Sequence, residues 1–302
     1  MELLAQNLLN GLTIGAFYAL VALGYTMVYG VLKLINFAHG CLFMWGAYLG
    51  WTFLSVLAFI VARAGPFALV PVVILVMISV GLIGVLLERV AYRPLRGTGR
   101  LPPVISALGA AFILESAARN LYGASYQVYP AGVDMSQRFN LVGNLTVSMT
   151  QILAVSASLV LMALLYVFVN YTRTGTAMRA VSLDHDTSRL MGIDVNRIIG
   201  IVFFIGPALG GAAGVLVALH YGSFNFTLGW TFGLKAFIAA ILGGIGNIPG
   251  AMLGGILLGV VESLGAVYLG SQWKDVIAYA LLAIILIVRP TGILGERIAD
   301  KL

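Results

Sequence analysis

From Leu3 to Leu32 the chain carries no charged side chain. Charge-free runs recur from Leu34 to Ala62, Ala64 to Leu87, Phe139 to Thr172, Ile198 to Leu234 and Ala236 to Val261. A helix needs about 20 mostly apolar residues to cross a bilayer, so each run is long enough to do so. Of the 302 residues, 61% are hydrophobic and 9% charged, where a soluble domain carries about 25% charged residues. So few charges cannot keep a chain of this length in water. A β-barrel would need alternating segments of about 10 residues, and "ILAVSASLVLMALLYVFV" from Ile152 to Val169 does not alternate. The fold class is therefore an all-α polytopic membrane protein, read as one membrane domain over residues 1–302.

Hydropathy and helix breakers predict about eight transmembrane helices, near 5–29, 35–60, 67–90, 103–122, 147–171, 198–219, 249–269 and 273–289. A short half-helix over 232–244 leads into "GGIGNIPG", which predicts a re-entrant or broken segment near 232–250. Such backbone is tolerated at membrane depth only where protein or a wet cavity covers it. "LKLINFAHG" (Leu32–Gly40) reads as a second interruption. Among the 37 glycines, Gly206, Gly210 and Gly214 recur every fourth residue, as do Gly246, Gly250 and Gly254. That spacing lets helix backbones approach closely in lipid. The start, "MELLAQNLLNG", lacks the positive n-region of a signal peptide, so the first run is expected to remain as a helix. Cys41 stands alone, so no internal disulfide is expected.

Basic residues orient the chain, because lysine and arginine concentrate in cytoplasmic loops. Arg89, Arg93, Arg96 and Arg100 fall in one connection, Arg173, Arg179, Arg189 and Arg197 in another, and Arg289, Arg297 and Lys301 in the tail. Two crossings separate the first two groups. The tail joins them on the cytoplasmic side if a half-helix and a full helix fill 232–269. Segments 123–146 and 220–231 then face outward, as does the N-terminus. The formal charge of +6 is accounted for by these loops, and no nucleic-acid partner is expected.

Several chemistries lack their residues. None of the four lysines follows a glycine, so the chain has no G-x-x-x-x-G-K-[ST] loop for ATP. His39, His185 and His220 are far apart in sequence, and "DHD" (Asp184–Asp186) reads as helix capping rather than a metal-ligand set. No G-x-S-x-G appears. Charges inside spans are the default place to seek ion coupling, but only Glu115, Arg119, Lys235 and Glu262 qualify. Glu115 and Arg119 are expected to pair with each other at i,i+4. So few intramembrane acids argue against an ion-driven carrier.

One polar island interrupts the apolar pattern. Arg173 to Ile199, "RTGTAMRAVSLDHDTSRLMGIDVNRII", holds four arginines, three aspartates and a histidine. "TAMRAVSL" sets Ala177, Ala180 and Val181 on one stripe and Arg179 on another, as a short surface helix would. Asp184 or Asp186 can cap a second helix over "DTSRLM", ended by Gly192. The expectation is two short helices lying against the cytoplasmic face, with a small, semi-apolar surface suited to cover by another protein.

This island resembles the cytoplasmic coupling loop of ABC importer permeases, E-A-A-x-x-x-G followed by an apolar run and Pro. "DTSRLMG" takes that register with Gly192 at the family glycine, and "IIGIVFFIGP" reaches Pro207. Asp186, Thr187 and Ser188 replace the acidic-and-alanine start. The wider match lies in four stretches: Asn10–Gly50, "LERVAYRPLRG" (Leu87–Gly97), Ala177–Ile199 and "LGGIGNIPGAMLGGILLGVVE" (Leu242–Glu262). Together they resemble the branched-chain amino acid permease family of the LivH type, end to end.

The resemblance implies a multi-pass permease subunit in a bacterial or archaeal cytoplasmic (inner) membrane, with its C-terminus cytoplasmic. It implies a LivM-type sibling, two cytoplasmic ATPase subunits that hold the ATP and Mg, and an extracytoplasmic substrate-binding protein. This chain itself would hold no cofactor and catalyse nothing. The implied cargo is leucine, isoleucine or valine, with urea or short amides as the alternative within the family. Within coupling loop 173–197, Thr176, Met178, Arg179, Asp184, Arg189 and Gly192 would contribute to the ATPase contact. Arg179 and Arg189 would meet acids, and Ala177, Val181 and Leu190 would give apolar contact. Asn36, His39 and Gly40 at the first break and Asn247 at the second would line the pathway, because backbone freed at helix breaks can meet a zwitterion.

Overall fold

The structure, a computed structural model, describes residues 2–57, 69–99, 101–130, 138–140 and 145–295. Its helices are α1 (Glu2–Leu32), α2 (His39–Val56), α3 (Leu69–Leu87), α4 (Leu101–Tyr122), α5 (Met149–Tyr171), α6 (Arg173–Leu183), α7 (His185–Leu190), α8 (Val195–Tyr221), α9 (Leu228–Gly243), α10 (Ile248–Tyr268) and α11 (Lys274–Val288). A π-helical turn (Glu88–Tyr92) and a 3₁₀ turn (Arg93–Leu95) extend α3. Four short strands, β1 (Gln127–Val128), β2 (Arg138–Asn140), β3 (Thr146–Ser148) and β4 (Ser223–Phe224), pair as β1–β4 and β2–β3.

Among the described residues seven helical segments are long and apolar enough to cross a membrane. They are α1, α3 with its two extending turns, α4, α5, α8, α10, and α11 with the preceding 3₁₀ turn. The eighth expected helix, 35–60, is α2. It starts later, at His39, and its first residues are His-Gly, not the apolar start of a lipid-facing span. The "GGIGNIPG" stretch forms the tight turn between α9 and α10. Gly244 and Gly246 adopt φ of +105° and +99° there, a region that favours glycine, and Asn247 caps α10 by accepting the Gly250 N–H at 2.9 Å.

The bundle has a centre and a rim. α1 and α8 are almost entirely buried, whereas α3, α4, α5 and α11 are buried along one side only. Their outer faces carry exposed apolar residues such as Leu82, Ile113, Leu164 and Ile287. That arrangement inverts a soluble protein and suits a lipid or subunit surround.

Small residues set the inner packing. α1 lies along α10 with Gly11 and Gly15 facing Gly255 and Gly259. A methyl group added at Gly15 would sit 2.7 Å from the Ile256 Cα, and one at Gly11 2.8 Å from the Val260 Cα. Of the expected triplets, Gly206 meets Gly24, Gly210 meets His39, and Gly214 meets Phe43 and Ala47. Gly250 and Gly254 meet Gly243 across the α9–α10 turn, while Gly246 serves the turn itself.

The two ends of the bundle are distinct. At one end Arg96 pairs with Glu88 and donates to Asn196 Oδ1 at 2.9 Å, joining the first two basic loops. Gly246 lies beside Gly30 at that end of α1, and the Asn247 amide donates to the Leu294 carbonyl at 2.9 Å, so the α9–α10 turn and the start of the tail lie there too. At the other end Gln6 exchanges two hydrogen bonds with the Thr146 backbone, β1 pairs β4, and Trp51 donates to the Val128 carbonyl. The crossing parity expected from the basic residues is therefore the parity observed. Arg100, Arg297, Lys301 and parts of 123–146 lie outside the described residues.

Candidate functional site

The polar island folds as two helices. Thr172 Oγ1 accepts the Gly175 N–H at 3.0 Å to start α6. Asp184 Oδ1 then accepts the N–H groups of Asp186 and Thr187, at 2.8 and 3.1 Å, to start α7. Asp184 is thus the capping residue, and α7 opens at His185. Gly192 ends the unit at φ +80°, with its N–H on the Arg189 carbonyl and the Ile193 N–H on the Ser188 carbonyl. Asp194 accepts the Arg197 N–H and starts α8 at once.

The island is bonded to three spans. Arg179 donates to Asn170 Oδ1 at 3.1 Å, at the end of α5. The His185 Nε2–H donates to the Val31 carbonyl at 2.9 Å, in the last turn of α1. Gly175 packs so tightly on the Phe168 and Val169 carbonyls that no side chain fits there. The unit is thus attached to α1 through His185, to α5 through Arg179 and Gly175, and to α8 through Asp194.

Which face is available differs from the expectation. Met178 and Val181 are buried against this chain's own core, and Ala177 packs beside them. Of the stripe expected to meet another protein, Val181 is fully covered by the central helices and Ala177 and Ala180 are partly covered. Leu190, also expected to give apolar contact, is exposed (88%), and Leu183 (88%) and Met191 (78%) are exposed with it. Thr176, Arg179, Asp184, Arg189 and Gly192 are exposed beside them, and Arg189 pairs with Asp186 at 3.0 Å.

The second site is the break after α1. Lys33 to Ala38 form irregular backbone that climbs back into the bundle, so α2 starts inside it. The His39 Nε2–H donates to the Val21 carbonyl at 3.2 Å. Val21 is 11 residues before the end of α1, roughly 16 Å along the helix. Asn36 Oδ1 accepts from the Ala38 N–H at 3.0 Å and from the Tyr92 hydroxyl at 2.7 Å. Gly40 lies against Gly229 and Gly233 of α9, where a side chain would collide. The amide nitrogen of Asn36 and Nδ1 of His39 are buried with no partner. Buried polar atoms are nearly always satisfied, so these two are exceptions, as are Thr26 Oγ1 and the Tyr48 hydroxyl. Asn247 does not join them: its bonds go to Leu294 and Gly250.

The intramembrane charges also differ from expectation. Glu115 and Arg119 do not pair. Glu115 Oε2 accepts the Trp230 indole N–H at 2.7 Å, and Arg119 stacks over Phe226 at 5.5 Å. Partners from α9 and the adjoining loop outcompete the neighbour on the same helix. Lys235 and Glu262 pair at 2.7 Å, with Asp275 at 2.8 Å from the same ammonium and the Tyr18 hydroxyl donating to Glu262 at 2.8 Å. Sequence reasoning singled out Lys235 and Glu262 separately. Their opposite signs in adjoining apolar helices were the signal for the pair.

Comparison with known proteins agrees along the whole chain. The chain is 43% identical to the high-affinity branched-chain amino acid transport system permease protein BraD of Pseudomonas aeruginosa, covering 98% of this chain and 97% of that protein. It is 39% identical to the corresponding LivH permease protein of Escherichia coli, over the same shares. A probable LivH permease of Methanocaldococcus jannaschii is 30% identical over 91% of this chain and 88% of its own. No solved structure matches it. The family described as branched-chain amino acid transport system / permease component matches residues 7–286, and the chain belongs to that family.

Proposed function

We propose that this chain is the membrane-spanning permease subunit of an ABC importer for branched-chain amino acids. An extracytoplasmic binding protein would deliver leucine, isoleucine or valine to the end bearing β1 and β4. A LivM-type sibling would complete the membrane pair in the cytoplasmic membrane. Two ATPase subunits would hold ATP and Mg at the basic, cytoplasmic end, where the C-terminus would also lie. The chain itself is then neither an enzyme nor a cofactor carrier.

The observation that carries this reading is the island of α6 and α7. It is capped at each start, bonded to α1, α5 and α8, and tipped by Leu183, Leu190 and Met191. Three large apolar side chains displayed beside Arg179 and Arg189 suit a groove on another protein, with apolar anchors inside and a charged rim. Closing of the ATPase pair would displace the island, and the His185 and Gly175 joints would carry that displacement into the spans. The coupling role of Thr176, Arg179, Asp184, Arg189 and Gly192 is as rim and frame of this tip, and that of Met178 is as its anchor to the core.

For the pathway we assign Asn36, His39 and Gly40, at the inner start of α2, as the polar step that cargo passes. The α2 N-terminus supplies a positive dipole end, and the unpartnered atoms of Asn36 and His39 supply hydrogen bonds. Asn247 acts from the cytoplasmic mouth, through the turn that it caps. The test is uptake into vesicles carrying the assembled transporter with its binding protein, using labelled leucine, isoleucine, valine, alanine, urea and acetamide. Accumulation of the three branched amino acids is expected. Accumulation of urea or acetamide in their place would overturn the substrate reading.

A further inference from the structure

We propose that the cleft between the end of α3 and the start of α8 is a binding site for the phosphate headgroup of an anionic phospholipid. The cleft has a volume of about 500 Å³, within the roughly 300–1,000 Å³ of small-ligand sites. Arg89, Arg93 and Arg197 line its polar part, and Val85, Ile201 and Phe204 its apolar part.

The charges there are unbalanced. Glu88 also borders the cleft, but it is buried and taken up by Arg96. Asp194 caps α8 through the Arg197 N–H. Among the described residues Arg89, Arg93 and Arg197 have no ion pair. Three guanidiniums against the one Asp194 carboxylate leave a surplus of two positive charges. Guanidinium forks match phosphate oxygens in pairs. The π-helical turn over Glu88–Tyr92 also matters: such turns locally widen a helix, and here Arg89 and Arg93 both reach one cleft.

The surroundings favour a lipid over a soluble anion. The apolar wall belongs to the spans themselves, and α3 continues from it with Leu82 and Leu86 exposed at 58% and 60%. Cation and hydrocarbon contacts therefore sit side by side at the basic end of the bundle, the level of the headgroup and upper acyl chain. Basic pockets between membrane helices on the cytoplasmic side recognise anionic headgroups in this way.

The test titrates the purified full chain, in neutral detergent, with phosphatidylglycerol, with phosphatidylcholine of the same acyl chains, and with inorganic phosphate. Native mass spectrometry counts bound lipid. One tight phosphatidylglycerol is expected, with phosphatidylcholine and inorganic phosphate much weaker. Removing an arginine should weaken binding about fivefold, so the triple variant Arg89→Gln, Arg93→Gln, Arg197→Gln should lose the site. Arg173→Gln, at the same end but outside the cleft, should keep it. The triple Arg→Lys variant retains the charge but not the forks and should bind more weakly than the native chain yet clearly more tightly than the triple Gln variant, which separates lost recognition from lost folding. Equal binding of the two lipids, or unchanged binding by the triple Gln variant, would overturn the proposal. So would inorganic phosphate competing at the same concentration, or a crosslinker at Ile201 capturing a partner subunit in place of lipid from the assembled transporter.

Discussion

Lys235 Nζ lies 2.7 Å from Glu262 Oε1, deep between α9 and α10, with the Tyr18 hydroxyl on the other carboxylate oxygen. Glu262, 4% exposed, has no other cation among the described residues and little water to replace Lys235, whereas Lys235 also keeps the exposed Asp275 at 2.8 Å. Breaking a buried pair from one side costs about 3–5 kcal/mol because a charge is left behind. Lys235→Met should therefore lower the unfolding midpoint in detergent strongly. Lys235→Met combined with Glu262→Gln, which keeps an acceptor for Tyr18, should recover most of the loss. A double variant as weak as the single one would mean that the loss does not come from the Glu262 charge left behind.

The α1–α10 seam makes a contrasting prediction about size. Gly255 faces the Ala19 backbone and Gly259 faces Gly15, with no space for a side chain. Gly255→Leu should prevent stable packing, seen as loss of a cooperative thermal transition. Gly109, on an exposed side of α4, has nothing within 4 Å. Gly109→Ala should raise stability by about 0.5–1 kcal/mol, the ordinary benefit of removing a helical glycine.

His185 joins α7 to the end of α1. His185→Leu removes a single hydrogen bond, worth about 1 kcal/mol, so the protein should insert and assemble normally. The island would then move without drawing α1 along. ATP hydrolysis should persist while amino acids imported per ATP fall severalfold, measured in the same proteoliposomes. An unchanged ratio would remove His185 from the coupling route.

The exposed tip can be tested without disturbing the fold. Leu190 and Met191 touch little of this chain, and exposed substitutions usually change stability by less than about 0.5 kcal/mol. Leu190→Glu with Met191→Glu should leave the unfolding midpoint in place and abolish co-purification of the ATPase subunits. Arg179→Glu should also weaken that association, but it additionally frees Asn170 at the end of α5. Retained co-purification in the double variant would place the ATPase contact elsewhere.

The parts of this architecture that were legible in the sequence are those written locally. Charge-free runs located the spans, arginines set their parity, and Asp184 or Asp186 with Gly192 bracketed one short helix, whose cap the structure fixes as Asp184. What stayed hidden depends on neighbours distant in the chain. The faces of α6 could not be assigned, because the stripe of Ala177, Ala180 and Val181 looks the same whether it meets this chain's core or another protein. Glu115 looked paired with Arg119 until folding brought Trp230 to it, 115 residues away. The climb from Lys33 to Ala38 was visible as an interruption. Its depth was not, since it takes contacts such as that of His39 with Val21 to reveal that α2 starts inside the bundle.

The most direct measurement is accumulation of labelled leucine in sealed proteoliposomes. With the sibling, the ATPase subunits and the binding protein present, leucine should concentrate inside only when ATP is on the ATPase side and the binding protein on the other. With this chain alone, under a proton or sodium gradient and without ATP, internal leucine should never exceed external leucine. Concentration of leucine by the chain alone would contradict the account.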